Sequence, residues 1–231
     1  MNNENKPHRT ILNLVINVII PVIILTKFST NNFLGPTTGV LVAVSFPAFY
    51  GLFDLIKNKK WNFISILGVI SVLLTGGLAL LKLNAIWFAV KESAIPFMLA
   101  IAIIVSTKTK YSFLQTIILN PKLFDMDLIN QSIEKNNSQI YSKKLFYKAT
   151  WLIALSFFLS ATLNFFLAIL ILQSPVDTPE FNSELGKMTA LSFPVIMIPV
   201  TSSLLFTIWY LLSGLKKATG LSAEKMLKSH K

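Results

Sequence analysis

The chain has 231 residues, 53% hydrophobic and 13% charged, with 21 Lys and Arg against 10 Asp and Glu and a formal charge of +11. Soluble domains are about 45–50% apolar and about 25% charged, so this balance, with a mean hydropathy of +0.63, argues against a soluble globular protein and for an integral membrane one. Cysteine is absent and both histidines, His8 and His230, lie in the terminal tails, which excludes a disulfide framework, thiolate chemistry and a buried His/Cys metal site.

In chain order, the basic lead MNNENKPHRT precedes ILNLVINVIIPVIILT with no A-x-A cleavage pattern after it, so a retained first helix is expected rather than a cleaved signal. Six apolar segments follow one another at 10–26, 37–56, 63–81, 85–106, 149–172 and 188–215. Each is close to the ~20 helical residues that cross ~30 Å of hydrocarbon. The expected fold is all-α: a polytopic transmembrane helix bundle of six spans forming one integral membrane domain over 1–231.

Lys and Arg alternate between the connections. The N-tail, second loop, fourth loop and C-tail hold seventeen of them, the first, third and fifth loops three, and Lys91 is the remaining one. Basic residues accumulate on the cytoplasmic side, so both termini are expected there, in a multi-pass protein of the bacterial inner membrane. The positive charge is thereby topological, and no nucleic-acid partner is expected. The fourth loop, 107–148, contains the break Asn120-Pro121 and then FDMDLINQSIEKNNSQIYSKKLFYKATW, apolar and basic residues at roughly helical spacing. Short helices at the cytoplasmic surface are expected there, with the lipid bilayer as partner and anionic headgroups within reach of their lysines, although positive-inside retention alone accounts for the same charges.

A faint repeat also runs through the chain: SFP at Ser45 to Pro47, SAIP at Ser93 to Pro96 and SFP at Ser192 to Pro194, with 28 residues both from Asn17 to Ser45 and from Asn164 to Ser192. It suggests three related helical hairpins. Proline is common in membrane helices, so coincidence gives the same pattern.

Polar residues within the spans are few. Asn13 and Asn17, four apart, share a helix face and suit either interhelical hydrogen bonding or a polar pocket. Asp54, three residues before Lys57, reads as an interfacial ion pair, and Trp87 as an interfacial anchor. Lys91 and Glu92 stand side by side in WFAVKESAIPF. Six steps of about 1.5 Å from Ala85 put Lys91 ~9 Å inside, where it either snorkels outward or lines an outward-facing polar pocket. Separated by 100° around a helix, Lys91 and Glu92 are expected to seek separate partners; Asn164, polar in an otherwise apolar helix, is the expected partner for Lys91. Gly76 and Gly77 are expected to admit a close neighbouring helix. Neither HExxH nor a nucleophile elbow occurs, and Ser93 lies two residues from Lys91, off the face a Ser-Lys dyad needs. No catalytic residue, metal or cofactor is expected.

LLTGGLALL at 73–81, WFAVKESAIP, the basic exit TKTK and ATWLIALSFFLSATLNFFLA together resemble the bacterial intracellular septation protein A family of inner-membrane-spanning proteins. The resemblance covers about 63–215 and matches at Gly76, Gly77, Lys91 and Asn164, which further supports Asn164 as the partner of Lys91. The longer fourth loop, the fifth loop and an extra helix depart from it and place the chain nearer a six-span sister group. The resemblance implies a non-enzymatic role in envelope maintenance or division, with partners in that machinery. The alternative, from six spans and the Lys91/Glu92 pair, is a small-solute, ion or lipid transporter.

Overall fold

A computed structural model describes residues 14–58, 63–108, 119–120 and 123–228. Among these the chain is all helical apart from one isolated bridge, Phe124 with Leu227. The helices are α1 (Val15–Phe28), α2 (Pro36–Asn58), α3 (Phe63–Leu80), α4 (Ala85–Ser106), α5 (Met126–Lys135), α6 (Gln139–Ile171), α7 (Pro179–Thr219) and α8 (Ala223–Met226). Two are widened by π-turns beside prolines. In α1, Val15–Ile19 and Ile24–Phe28 flank Pro21, and in α7 the π-turn is Phe193–Met197. Proline has no N–H and crowds the carbonyl four residues back, so the helix loosens there.

Four helices, α2, α4, α6 and α7, are long and apolar enough to cross a membrane. No more than 33% of the apolar stretch of any of them is buried, so large hydrophobic side chains such as Phe49, Leu155 and Leu170 point outward, which suits hydrocarbon and not water. The six expected spans are therefore met in four. The other two fall on α1 and α3, whose apolar lengths among the described residues are Val15–Phe28 and Val69–Leu80. Residues 10–13 of the first expected span lie outside the described residues.

Two expectations need correcting. QSPVDTPEFNSELGK reads as a loop, yet α7 begins inside it: the Thr178 hydroxyl oxygen accepts from Phe181 N at 3.2 Å, Pro179 opens the first turn and Glu180 follows. Within 107–148 the helix Met126–Lys135 forms as expected, with the Asp125 carboxylate accepting from Leu128 N at 3.0 Å. The later part of FDMDLINQSIEKNNSQIYSKKLFYKATW, from Gln139 on, is not a separate surface helix. It is the start of α6, which begins at Gln139.

The chain divides into two compact units, 1–95 with 161–196 and 96–160 with 197–231. Each is assembled from discontinuous segments, so no shift of composition marks a boundary.

In the first unit α2 and α3 form an antiparallel pair whose contacts run through glycine. A methyl group added at Gly76 would lie 3.2 Å from Val44 Cγ2, and one at Gly51 would lie 2.9 Å from Val69 Cγ2. Start of α7 and α1 meet the same way, with Gly186 against Thr26 and Leu25. Phe88 and Phe181, both fully buried, pack edge to face with centroids 5.2 Å apart. Three connections converge at one end: Asp177 accepts from the Thr37 hydroxyl at 2.5 Å and pairs with Lys82 Nζ at 2.6 Å. Thr37 follows the first loop, Lys82 is in the third and Asp177 is in the fifth, so the three Lys-poor loops lie together. The turn into α7 is held by Glu184, whose carboxylate accepts from the backbone of Gln173 and Ser174, each at 2.9 Å.

The second unit is built on an apolar cluster that includes Ile129, Leu145, Ile153, Leu211, Leu215 and Met226. Gly214 lies directly against Leu145, bringing the last turns of α7 beside the first turns of α6. The C-terminal segment closes on the fourth loop: Asp125 N donates to Met226 O at 2.9 Å, and Lys228 N to Leu123 O at 2.8 Å. Gly220 ends α7 at φ 72°, a left-handed conformation that glycine takes without strain.

Candidate functional site

Lys91 sits on the seventh position of α4, counted from Ala85, and its side chain is only 9% exposed. The ammonium donates to Thr75 Oγ1 at 2.7 Å and to Glu92 Oε1 at 2.7 Å. Thr75 in turn donates its own proton to Ser71 O at 3.1 Å, which leaves a lone pair of the hydroxyl aimed at Lys91. The expectation that Lys91 and Glu92 would seek separate partners rather than each other is thus overturned. The 100° between neighbours describes where Cβ atoms point, and the four-carbon lysine stem is long enough to swing the ammonium across that angle.

This triad borders a cavity of about 190 Å³, lined on its polar side by Asn17, Ser71, Thr75, Lys91, Glu92 and Thr189 and closed by Pro21, Pro47 and neighbouring aliphatic groups. All belong to the first unit. Pro47 and Pro96 interrupt α2 and α4, and each deprives the carbonyl four residues earlier of its helical donor. Those carbonyls belong to Ala43 and Glu92, both lining residues. The cavity offers side-chain acceptors and hydroxyls around a single ammonium, a combination able to hold a small polar molecule or ion through both its donor and its acceptor groups.

The other expected residues are distributed as follows. Asn17 lines the cavity, while Asn164 is half-buried on α6 and does not line it. Trp87 is 52% exposed. Gly76 is buried against α2, whereas a side chain at Gly77 would meet nothing within 4 Å; only the first makes the expected close contact. Asn13 lies outside the described residues, as does the side chain of Asp54. The serines of the repeat turn back on their own helices, Ser45 to Val42 O, Ser93 to Val90 O and Ser192 to Met188 O. Thr75, Ser71 and Thr189 are absent from the sequence reading. The signal for the first two was present: hydroxyls four apart share one face of an otherwise apolar helix.

Among the described residues no cluster of three or more His, Asp or Glu side chains suits a metal ion. Comparison with models of protein families, with curated proteins and with solved structures finds no match.

Proposed function

We propose that this chain is a six-span protein of the bacterial cytoplasmic membrane, with both termini cytoplasmic, that binds a small polar solute in an outward-facing cavity and moves it across the membrane without catalysing a reaction. One observation carries the reading: a lysine ammonium, buried in a set of apolar helices, is bonded to Thr75 and Glu92 beside a cavity of about 190 Å³. Ionisable groups within apolar helices are costly, and the default reading of one is a functional site, solute and ion pathways among them. Orientation is supported by the Lys82–Asp177–Thr37 tie, which gathers the Lys-poor loops at the end of the unit nearest Lys91; by the positive-inside rule that end faces out.

A place in envelope maintenance or division, with partner proteins of that machinery, has the resemblance at Gly76, Gly77, Lys91 and Asn164 behind it. A strain lacking the gene, scored for division and osmotic phenotypes beside a solute-uptake panel, separates the two. Transport predicts that at least one solute loses uptake, that Lys91→Met fails to restore it at normal abundance, and that Lys91→Arg restores part. Full restoration by Lys91→Met would make Lys91 a snorkelling anchor and end the transport reading.

A further inference from the structure

A second concavity, in the other unit, has different chemistry. A groove of about 490 Å³ runs between α6 and α7, lined by Tyr147, Trp151, Leu155, Phe206 and Tyr210, with Lys148 as its one charged lining residue. Tyr147, Trp151 and Leu155 are spaced i, i+4, i+8, so they form one stripe along α6, and Phe206 and Tyr210 form the facing stripe on α7. The rings of Tyr147 and Trp151 stand edge to face at 6.2 Å.

The two ends of the groove differ. At Tyr147 it opens among lysines: Lys148 is in the wall, Lys144 lies one turn earlier on α6, and Lys217 lies two turns beyond Tyr210 on the corresponding face of α7. The contact of Gly214 with Leu145 holds these turns side by side, and all three lysines are exposed. From there to Leu155 the lane is apolar for eight residues, about 12 Å of helix rise. Half of a bilayer's hydrocarbon is about 15 Å. Tyrosine and tryptophan at the mouth are the residues that settle at the level of lipid headgroups.

We propose that this groove is a binding site for an anionic phospholipid, with one acyl chain lying against Trp151, Leu155 and Phe206 and the phosphate held by Lys144, Lys148 and Lys217. Charge complementarity selects the occupant. A neutral lipid would fill the apolar lane equally well but would leave three ammoniums without a counter-ion, and a soluble anion would leave the lane empty. The proposal does not depend on transport through the Lys91 cavity.

Trp151 supplies the probe. The full chain carrying Trp61→Phe, Trp87→Phe and Trp209→Phe, reconstituted at low salt, is titrated with brominated phosphatidylglycerol or brominated phosphatidylcholine, and quenching of the remaining tryptophan is recorded. Phosphatidylglycerol should quench at several-fold lower mole fraction, and Lys144→Gln, Lys148→Gln and Lys217→Gln together should abolish the difference. A matched triple elsewhere on the same unit, Lys135→Gln, Lys225→Gln and Lys228→Gln, should leave the difference intact. Equal quenching by the two lipids, which needs no variant to observe, would overturn the proposal. So would an equal effect of the two triples, since that would mean general surface charge rather than this groove.

Discussion

In the unit formed by 96–160 and 197–231, four of the five buried polar side chains among the described residues are hydroxyls that bond one turn back along their own helix; Ser142 has no hydrogen-bond partner, and Ser156 also meets the Ser203 hydroxyl at 2.7 Å. Thr150 donates to Phe146 O, Ser156 to Leu152 O, Thr207 to Ser203 O and Thr219 to Leu215 O. In the unit formed by 1–95 and 161–196, the interior holds an ammonium whose partners are a carboxylate on its own helix and a hydroxyl on another, α3. The contrast separates two kinds of buried polarity. A hydroxyl that caps its own helix's carbonyl needs nothing from the tertiary structure and suits a sealed apolar core. A lysine requires other groups to be fixed around it, and a helical bundle does not need that expense in order to pack. The second unit demonstrates as much with Ile153, Leu211 and Leu215.

The most direct way to break the comparison is to give the second unit a charge of its own. Leu211 is fully buried among Ile, Leu, Ala and Met side chains. Leu211→Lys should cost more than about 4 kcal/mol, the range reached only when an unpaired charge enters a core, and should be read as loss of folded protein in detergent. Tolerance of that lysine at wild-type abundance would mean that the bundle accommodates charge anywhere and that Lys91 is nothing special.

Removing one member of the pair in the first unit is the next largest effect. Glu92→Leu leaves the Lys91 ammonium without its counter-charge and should cost about 3 kcal/mol, the low end for a broken buried pair, because the Glu92 side chain is 26% exposed. Lys91→Met combined with Glu92→Leu should return to within about 1 kcal/mol of wild type. A double variant that stays folded and binds no solute assigns the pair to function; one as unstable as the single variant assigns it to the fold.

Gly76 and Gly77 sharpen the comparison at the level of helix contacts. Gly76→Leu drives a side chain into Val44 and should cost about 1–3 kcal/mol, as overpacking does. Gly77→Leu meets open space and should change melting by less than about 0.5 kcal/mol. Equal effects would mean that α3 is rotated about its axis relative to this arrangement.

The Gly-Gly pair also marks where sequence stops being legible. Consecutive helix positions point 100° apart, so TGGL announces a small-residue contact without saying which glycine makes it. Long apolar runs announced α2, α4 and the apolar lengths of α6 and α7, because hydrocarbon-facing surface is written directly as composition. Hydropathy could not see the polar first turns of α7, although Thr178, Pro179 and Glu180 form a helix start by capping chemistry. Lys91, Glu92 and Asn17 stood out as polar residues in apolar segments. Thr75 did not, because hydroxyls are cheap in membrane helices and its importance comes from which helix lies opposite, a fact of tertiary packing.

The smallest effect concerns Asp177, which ties the loops at the end of the first unit nearest Lys91. Its carboxyl is held below the ordinary aspartate range, chiefly by the hydrogen bond from Lys82 and then by that from Thr37. A depressed folded pKa means that the ion pair contributes its stability above the unfolded value, about 3.9, and loses it as pH falls through the lowered one. Asp177→Asn is the informative change, because asparagine tolerates the left-handed backbone at φ 69° and can still accept from Thr37, so only the pairing with Lys82 is removed. Lys82 is 62% exposed, and exposed pairs of this kind contribute under about 1 kcal/mol. Wild type should therefore melt slightly above Asp177→Asn at neutral pH, and the gap should narrow from about pH 4 downward and close below the lowered pKa. A gap that persists unchanged in strong acid would mean that asparagine perturbs the turn itself, and that the three loops are held together by backbone geometry rather than by the Lys82–Asp177 charge pair.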